Sequence, residues 1–299
     1  MFKQLYRSYN NEQQSILGHT NPNRVMCNCG TFFVRILKEE LTMSTKTWEE
    51  VKVQYDSLVN IFDQTRNIAD LYNAMVYVTN YYMSNRSCLP AAYQVAWCHY
   101  AGMVYDAKFA DSEIAISLLQ YIYKKGYTDA AFLLSKIYSN LKNYTECFRW
   151  TKIVVNDDPN ALNSHIRLAT YYSEGKGTEQ DLYAADQIFE DMIEKSKDDY
   201  EFAESYAEHL LRKHSIESFY WMKKASNMAP DLYLFGACLH AIVNIALEFN
   251  DLKTAIAYSE KINRLIGTAN DSETDAFIRE SYYLSYNEIE IYKGEHGIK

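Results

Sequence analysis

Apolar residues recur at three- and four-residue intervals from Trp48 onward, and short polar breaks separate the runs. This spacing places the apolar side chains on one face of a helix. The pattern therefore predicts one amphipathic helix after another, joined in hairpins by short turns. The predicted fold class is all-α, a right-handed α-α superhelix, which is a solenoid of antiparallel helix pairs.

Small residues repeat inside the predicted helices. Those of the first helices follow an apolar or aromatic residue and are 39, 34 and 38 residues apart, a period typical of stacked helix pairs. Because a small side chain lets two helices approach closely, these positions predict the contacts between helices. The small positions are Ala96, Ser135, Ala169 and Ala207 in the first helices, and Ala115, Cys147, Ala184, Ser218 and Ala255 in the second helices.

Turn residues predict where several helices end. Pro159 and Pro230 follow two of the second helices, and a proline cannot continue a helix. Gly175 is expected to end a first helix in the left-handed conformation, and Asp181 is expected to open the next helix.

The Gly-Lys-Gly-Thr at residues 175–178 lacks the spacing of a phosphate-binding loop. Such a loop has a glycine five positions before its Gly-Lys pair and a Ser or Thr directly after the lysine. Here Thr170 stands at the earlier position and Gly177 follows Lys176. The segment therefore predicts a turn between helices and not a nucleotide site.

Residues 1–42 differ from the repeats. They show no periodic pattern, and they predict an irregular arm with one short helix in the apolar run TFFVRILKEEL. A native start at Met43 is left open, because Ser44 or Thr47 would then cap the first helix, and purine-rich codons for Lys38-Glu39-Glu40 would resemble a bacterial ribosome-binding sequence.

Residues 43–299 are predicted to form a single helical-repeat domain of about five to six helix pairs. Ser272 or Thr274 is predicted to cap a last helix at about 272–294. Since the ends of a solenoid need cover, this helix is expected to close the repeat domain.

Composition narrows the function classes. At 48% hydrophobic residues with only 10 Gly and 4 Pro, the chain is a folded helical protein. The net charge of -9 and the lack of a Lys/Arg-rich block argue against a nucleic-acid partner. No apolar run approaches about 20 residues and the first thirty residues lack a signal-peptide pattern, so a cytoplasmic protein with no membrane partner is expected.

No catalytic residue, metal site or cofactor is predicted. Cys27 and Cys29 resemble half of a metal site, but no second pair stands at zinc-finger spacing. The seven histidines include no HExxH motif, and His209 and His214 fall on different faces of one helix. No GxSxG motif occurs either, so an enzyme is the less favoured class.

The segment LATYYSEGKGTEQDLYAADQIFEDMI contains a recurring motif, and the residues that carry it are Leu168, Ala169, Tyr172, Gly175, Gly177, Asp181 and Ala184. It resembles the Sel-one-like repeats, whose pattern is a Leu-small pair, a Tyr, Gly-x-Gly, an Asp and an Ala. The segments YTECFRWTKIVVNDDPN and NIALEFNDLKTAIAYSEKI resemble tetratricopeptide repeats, and the two resemblances together cover roughly residues 89–265. The mid-helix glycine typical of both families is Ala or Ser here.

The resemblance implies a solenoid that holds a protein or peptide in a concave groove. In these families the first helix of each pair lines the groove, close to the small position. The resulting groove candidates are Tyr93, Trp97, Tyr100, Lys136, Asn140, Asn163, Thr170, Glu204, Glu208, Arg212, His240 and Asn244. Most of the 27 tyrosines are expected to fill the core, and a minority to face the partner.

The sequence is compatible with four classes of function. The favoured one is a non-catalytic adaptor or scaffold that binds a protein or peptide. The second is a peptide-sensing signalling regulator, although residues 1–42 lack the helix-turn-helix that such regulators usually carry. The third is a self-assembling structural protein, which leaves homo-oligomers open, and the fourth is an enzyme.

Overall fold

The computed structural model describes Met43 and residues 45–298. The predicted N-terminal arm, including the Cys27-Asn28-Cys29 pair and TFFVRILKEEL, lies outside these residues. Thirteen helices and no strand occur between Trp48 and Glu295, so the all-α prediction is confirmed. The chain divides after Asp157 into two compact units, unit 1 and unit 2. The single repeat domain predicted for residues 43–299 stays a prediction.

Unit 1 contains three helix pairs, and the two helices of each pair pack against each other. Successive pairs also touch, because α2 packs on α3, α4 on α5, and α3 on α5. The helices of unit 1 are α1 (Trp48–Thr65), α2 (Ile68–Ser84), α3 (Leu89–Val104), α4 (Ser112–Tyr123), α5 (Asp129–Asn140) and α6 (Tyr144–Asp157).

Unit 2 contains three helix pairs and a last single helix. The first helix of one pair packs on the first helix of the next, as α7 does on α9, and the last helix packs on both members of the third pair. The helices of unit 2 are α7 (Leu162–Glu174), α8 (Leu182–Ser196), α9 (Tyr200–Arg212), α10 (Glu217–Met228), α11 (Leu232–Glu248), α12 (Leu252–Asn263) and α13 (Ser272–Glu295).

The predicted turn between α7 and α8 is confirmed. Gly175 ends α7 with φ of 69°, in the left-handed region that glycine adopts without a steric penalty. The Asp181 carboxylate accepts a hydrogen bond from the backbone nitrogen of Ala184 at 2.9 Å and so caps the start of α8.

The first and last helices begin at acid-assisted caps. Thr47 and Glu50 form a reciprocal capping box at the start of α1. Of the two predicted caps, Ser44 and Thr47, Thr47 is therefore the one that caps this helix. At α13 the prediction of Ser272 or Thr274 as the cap is wrong. Asp271 caps this helix, because its carboxylate accepts from the backbone nitrogen of Thr274 at 2.7 Å.

The small positions are buried with one exception. Ala96, Ala169 and Ala207 are fully buried, as the repeat pattern predicts. In α8 the buried residue is Ala185 and not Ala184, which is partly exposed. The reason is helical phase, since the buried side of α8 continues from Ala185 through three further residues at spacings of four, three and four. Those residues are Phe189, Met192 and Ser196.

Aromatic rings fill the core of unit 2. Phe189 of α8 and Phe202 of α9 meet edge to face with ring centroids 5.9 Å apart, and Tyr206 meets Trp221 of α10 at 5.2 Å. These contacts join three consecutive helices, and such ring pairs add stability beyond the area that they bury. None of the helices between Trp48 and Glu295 has the length and apolar composition needed to cross a bilayer.

Candidate functional site

An aromatic stripe runs along α3 in unit 1. Tyr93, Trp97 and Tyr100 are spaced by four and three residues, so they share one helix face, and each is partly exposed. The adjacent Ala92 and Ala96 are fully buried against the neighbouring helices. We call Tyr93, Trp97 and Tyr100 the aromatic stripe, and α3 therefore presents large rings along its accessible side.

Tyr93 is held at the edge of the stripe by a second ring. Its centroid lies 5.4 Å from that of Tyr127. Burial raises the pKa of Tyr93 to about 12, so its phenol keeps its proton at neutral pH and remains a hydrogen-bond donor.

The two candidates on α5 differ in exposure. Lys136 is partly buried, with its ammonium 5.1 Å from the centre of the Phe132 ring, whereas Asn140 at the end of α5 is exposed. Helix α5 packs on α3, so both candidates belong to the same unit as the aromatic stripe.

The two candidates on α7 offer less to a partner. The hydroxyl of Thr170 donates to the backbone oxygen of Ile166 at 2.9 Å, so its proton is already used within the helix. Asn163 is exposed in the first turn of α7.

On α9, three candidates spaced by four residues form a charged row. Arg212 lies 3.0 Å from Glu174 and 3.8 Å from Glu208, and the hydroxyl of Tyr200 donates to Glu204 at 2.9 Å. Burial raises the pKa of Glu208, and the nearby carboxylates of Glu204 and Glu174 raise it further, while Arg212 lowers it. The row is therefore acid-rich, with its arginine already paired.

One of the two candidates on α11 contacts the last helix. His240 and Asn244 lie one turn apart and are partly buried. Nδ1 of His240 lies 2.7 Å from Oγ of Ser285 in α13. Oδ1 of Asn244 is buried and has no hydrogen-bond partner among the described residues.

Unit 2 contains a polar network around a buried histidine that the sequence did not predict, and we call it the His209 network. Nε2 of the fully buried His209 lies 2.8 Å from Asp186, and Nδ1 lies 2.9 Å from the Ser173 hydroxyl. Lys213 contacts both carboxylate oxygens of Asp186 at 2.7 and 2.6 Å. Because these residues come from α7, α8 and the end of α9, no local motif signals them.

The His209 network contains the residue types of a catalytic triad but cannot work as one. A carboxylate only accepts, so Nε2 of His209 donates to Asp186 and Nδ1 accepts from Ser173. However, Ser173 is only 1% exposed within a helix, so no substrate can reach its hydroxyl. The network instead joins three helices through the two hydrogen bonds of the buried His209 ring.

We expect the His209 network to make folding sensitive to acid. Burial lowers the pKa of His209 below its usual 6.5, so the folded protein resists protonation more strongly than the unfolded chain does. Stability is therefore complete above about pH 6.5 and falls as pH drops through the folded pKa. Although burial alone would raise the pKa of Asp186, hydrogen bonds from Lys213 and His209 lower it. The ionised Asp186 therefore also stabilises the folded protein, and this stability is lost at a more acidic pH.

The measurement is the thermal midpoint at several pH values from 7.5 to 5. The wild-type midpoint is expected to fall on acidification, and His209→Gln, which cannot titrate, is expected to have a shallower slope. His214→Asn is the control, because His214 is exposed and has a φ of 52°, which asparagine tolerates. Equal slopes for wild type and His209→Gln would contradict the assignment.

No protein-family model matches the chain, and no curated protein matches it in sequence. Among solved structures, the chain is similar to the protective antigen c5321 of uropathogenic Escherichia coli, described as displaying an SLR fold, with 13% identity and a TM-score of 0.42. That alignment covers 73% of this chain and 48% of the antigen, so the chain spans about half the length of that protein.

A second similar structure is a Sel1 repeat protein from Oxalobacter formigenes, with 12% identity and a TM-score of 0.32 over 83% of this chain and 90% of that one. Sel1-like repeats are the family that the segment around Gly175 resembles. Because both TM-scores are below 0.5, the description of the chain as a helical-repeat fold rests on its own helix pairs.

Proposed function

We propose that this chain is a non-catalytic adaptor or scaffold that binds a segment of a partner protein or a peptide. The observation that carries the proposal is the aromatic stripe on α3. Three large rings at one helix face remain partly exposed while the small residues beside them are fully buried. A tryptophan and two tyrosines supply apolar contact area and polar atoms at little cost in conformational entropy.

The dimensions of the aromatic stripe suit an extended segment. From Tyr93 to Tyr100 the helix rises about 10 Å, which corresponds to about three residues of an extended chain. A bound segment of this length would lay alternate side chains on the rings, while Lys136 and Asn140 on the adjacent first helix would offer polar partners for its backbone.

The same proposal covers the polar candidates of unit 2. Glu204, Glu208, Arg212, His240 and Asn244 lie on the first helices α9 and α11, where the repeat resemblance puts the groove. We propose a cytoplasmic setting and a protein partner rather than nucleic acid or membrane, in keeping with the net charge of -9. No cofactor enters the proposal.

Trp97→Ala is expected to weaken partner binding strongly without unfolding the protein. Interface tryptophans commonly contribute 2 kcal/mol or more, which corresponds to about a thirtyfold loss of affinity. The wild-type chain is used to purify its partner from the native host, and the affinity of wild type and variant for that partner is then measured by isothermal titration.

Tyr121→Ala is the matched control, since Tyr121 is 43% exposed in the same unit but lies on the second helix α4. This variant should bind normally. Circular dichroism should show that Trp97→Ala keeps its helices. If Trp97→Ala unfolds, Trp97 belongs to the core, and if the folded variant binds normally, the aromatic stripe is not the binding surface.

A further inference from the structure

Helices α11 and α13 run side by side in parallel. Near one end, the rings of Tyr233 and Phe277 stack with centroids 3.8 Å apart. Near the other end, the hydroxyl of Tyr292 donates to Oδ1 of Asn250 at 3.0 Å. These pairs are 44 and 42 residues apart in the chain, and His240 contacts Ser285, which is 45 residues later, so each position of α11 lies level with a position 42 to 45 residues later in α13.

This register brings two unsatisfied acceptors to the same level. Asn244 of α11 lies level with Glu288 of α13. Oδ1 of Asn244 and Oε2 of Glu288 are both buried, and neither has a hydrogen-bond partner among the described residues. Buried polar atoms are nearly always paired, so two such oxygens at one level of the helix pair need an explanation.

His240 contributes a third acceptor one turn before Asn244. The Ser285 hydroxyl donates its only proton to the backbone oxygen of Ser281 at 2.8 Å. Nδ1 of His240, 2.7 Å from the same Oγ, must therefore be the donor in that contact. In the neutral ring Nε2 then carries a lone pair and accepts.

We propose that His240, Asn244 and Glu288 bind the primary ammonium group of a lysine side chain of the partner protein or peptide, an inference that rests on the proposed function. The three side chains supply three acceptors, and an ammonium group has three donors and no acceptor. A backbone amide has one donor only. The carboxylate of Glu288 supplies the opposite charge, and the acid-rich row on α9 in the same unit favours a basic segment.

Electrostatics supports this pairing. Burial raises the pKa of Glu288, and the nearby imidazole of His240 lowers it, so the Glu288 carboxyl group lies within electrostatic range of that ring. A buried carboxylate without a positive partner is unfavourable, and an incoming ammonium group removes that penalty. His240, Asn244 and Glu288 are only partly buried as residues, so a ligand arriving at their exposed parts meets the unpaired oxygens after rotation of the terminal amide and carboxylate.

The test uses n-butylammonium chloride as the probe, titrated into the full chain at constant ionic strength. Nuclear magnetic resonance follows the side-chain amide of Asn244 and the imidazole of His240. We expect saturable shifts with a Kd of about 1–10 mM, the range for a single small charged contact. Tetramethylammonium, which has the same charge and no N–H donor, should bind at least about tenfold more weakly.

Two variants locate the site. Glu288→Gln and Asn244→Leu should each weaken n-butylammonium binding about tenfold. Neither should lower the thermal midpoint, because each removes a buried unpaired oxygen or its charge. Glu290→Gln is the matched control, since it removes the same charge from an exposed position of the same helix. Unchanged binding in Glu288→Gln, no saturation by 100 mM, or equal binding of tetramethylammonium would overturn the proposal.

A lysine with both backbone ends blocked distinguishes binding of a peptide side chain from binding of a free amine. Nα-acetyl-lysine N-methylamide should bind at least as tightly as n-butylammonium. If only n-butylammonium binds, the site takes free amines and the lysine assignment is wrong. This result is independent of the partner measurement with Trp97→Ala. If the wild type binds ammonium and Trp97→Ala still binds the partner fully, only the role of the aromatic stripe as the binding surface is contradicted.

Discussion

His209→Ala is expected to destabilise unit 2 by about 3–5 kcal/mol. His209 is fully buried, and both of its ring nitrogens are hydrogen-bonded. Its ring also packs on Phe189, with centroids 5.1 Å apart. Alanine would leave a cavity, a serine hydroxyl without its acceptor, and the Asp186 carboxylate with Lys213 as its remaining partner.

The size of this effect comes from two additive causes. Removing a large buried side chain loses contacts and leaves a cavity that neighbouring helices fill only in part. Leaving buried polar groups unpaired adds about 1–3 kcal/mol for each group. Since a domain is stable by only about 5–15 kcal/mol, a loss of this size removes much of the stability of unit 2.

Urea unfolding followed by circular dichroism measures the change, and hydrogen exchange assigns it to unit 2. His214→Asn is the control five residues away, because His214 is 77% exposed and its contact with Glu248 lies at the surface. That variant should lose less than about 0.5 kcal/mol. A loss below about 1 kcal/mol in His209→Ala would show that the His209 network does not hold α7, α8 and α9 together.

The second large effect is expected at Ala185, where leucine should cost about 2–3 kcal/mol. Ala185 is fully buried in the same core as Phe189 and Phe202. Three extra heavy atoms have no space there, so helices α8 and α9 must separate or side chains must leave their preferred rotamers.

Ala184→Leu provides a control that is adjacent in sequence and identical in chemistry. Ala184 is only partly buried, so leucine there should change stability by less than about 0.5 kcal/mol. Urea midpoints of the two variants compare the two faces of α8 directly. If Ala184→Leu lowered the urea midpoint more than Ala185→Leu, Ala184 would be the buried residue, as the repeat pattern predicts. The burial described above would then be wrong.

Local features of the chain were predictable because their physics is local. Gly175 ends a helix and Asp181 starts one through conformations and hydrogen bonds that involve only three or four neighbouring residues. The position of the last helix was predictable to within a residue, but its cap was not. Asp271, Ser272 and Thr274 are all good capping residues, and only the backbone geometry selects among them.

The phase of α8 shows a second limit of sequence reasoning. Ala184 and Ala185 are identical and adjacent, so the repeat pattern alone could not separate them, and a shift of one residue turns the helix by about 100°. Packing against Phe202 and Tyr206 of α9 decides the phase, because Phe189 must face those rings.

The sequence by itself determined the all-α class, the order of the helices, several of their ends and most of the small residues between them, since these follow from periodicity and short-range bonding. Only the tertiary structure decided that Ser173, Asp186, His209 and Lys213 meet, or that Asn244 lies level with Glu288. The contacts of the His209 network join residues 23 to 36 positions apart, and they depend on the register of neighbouring helices, which the apolar pattern of each helix alone does not specify.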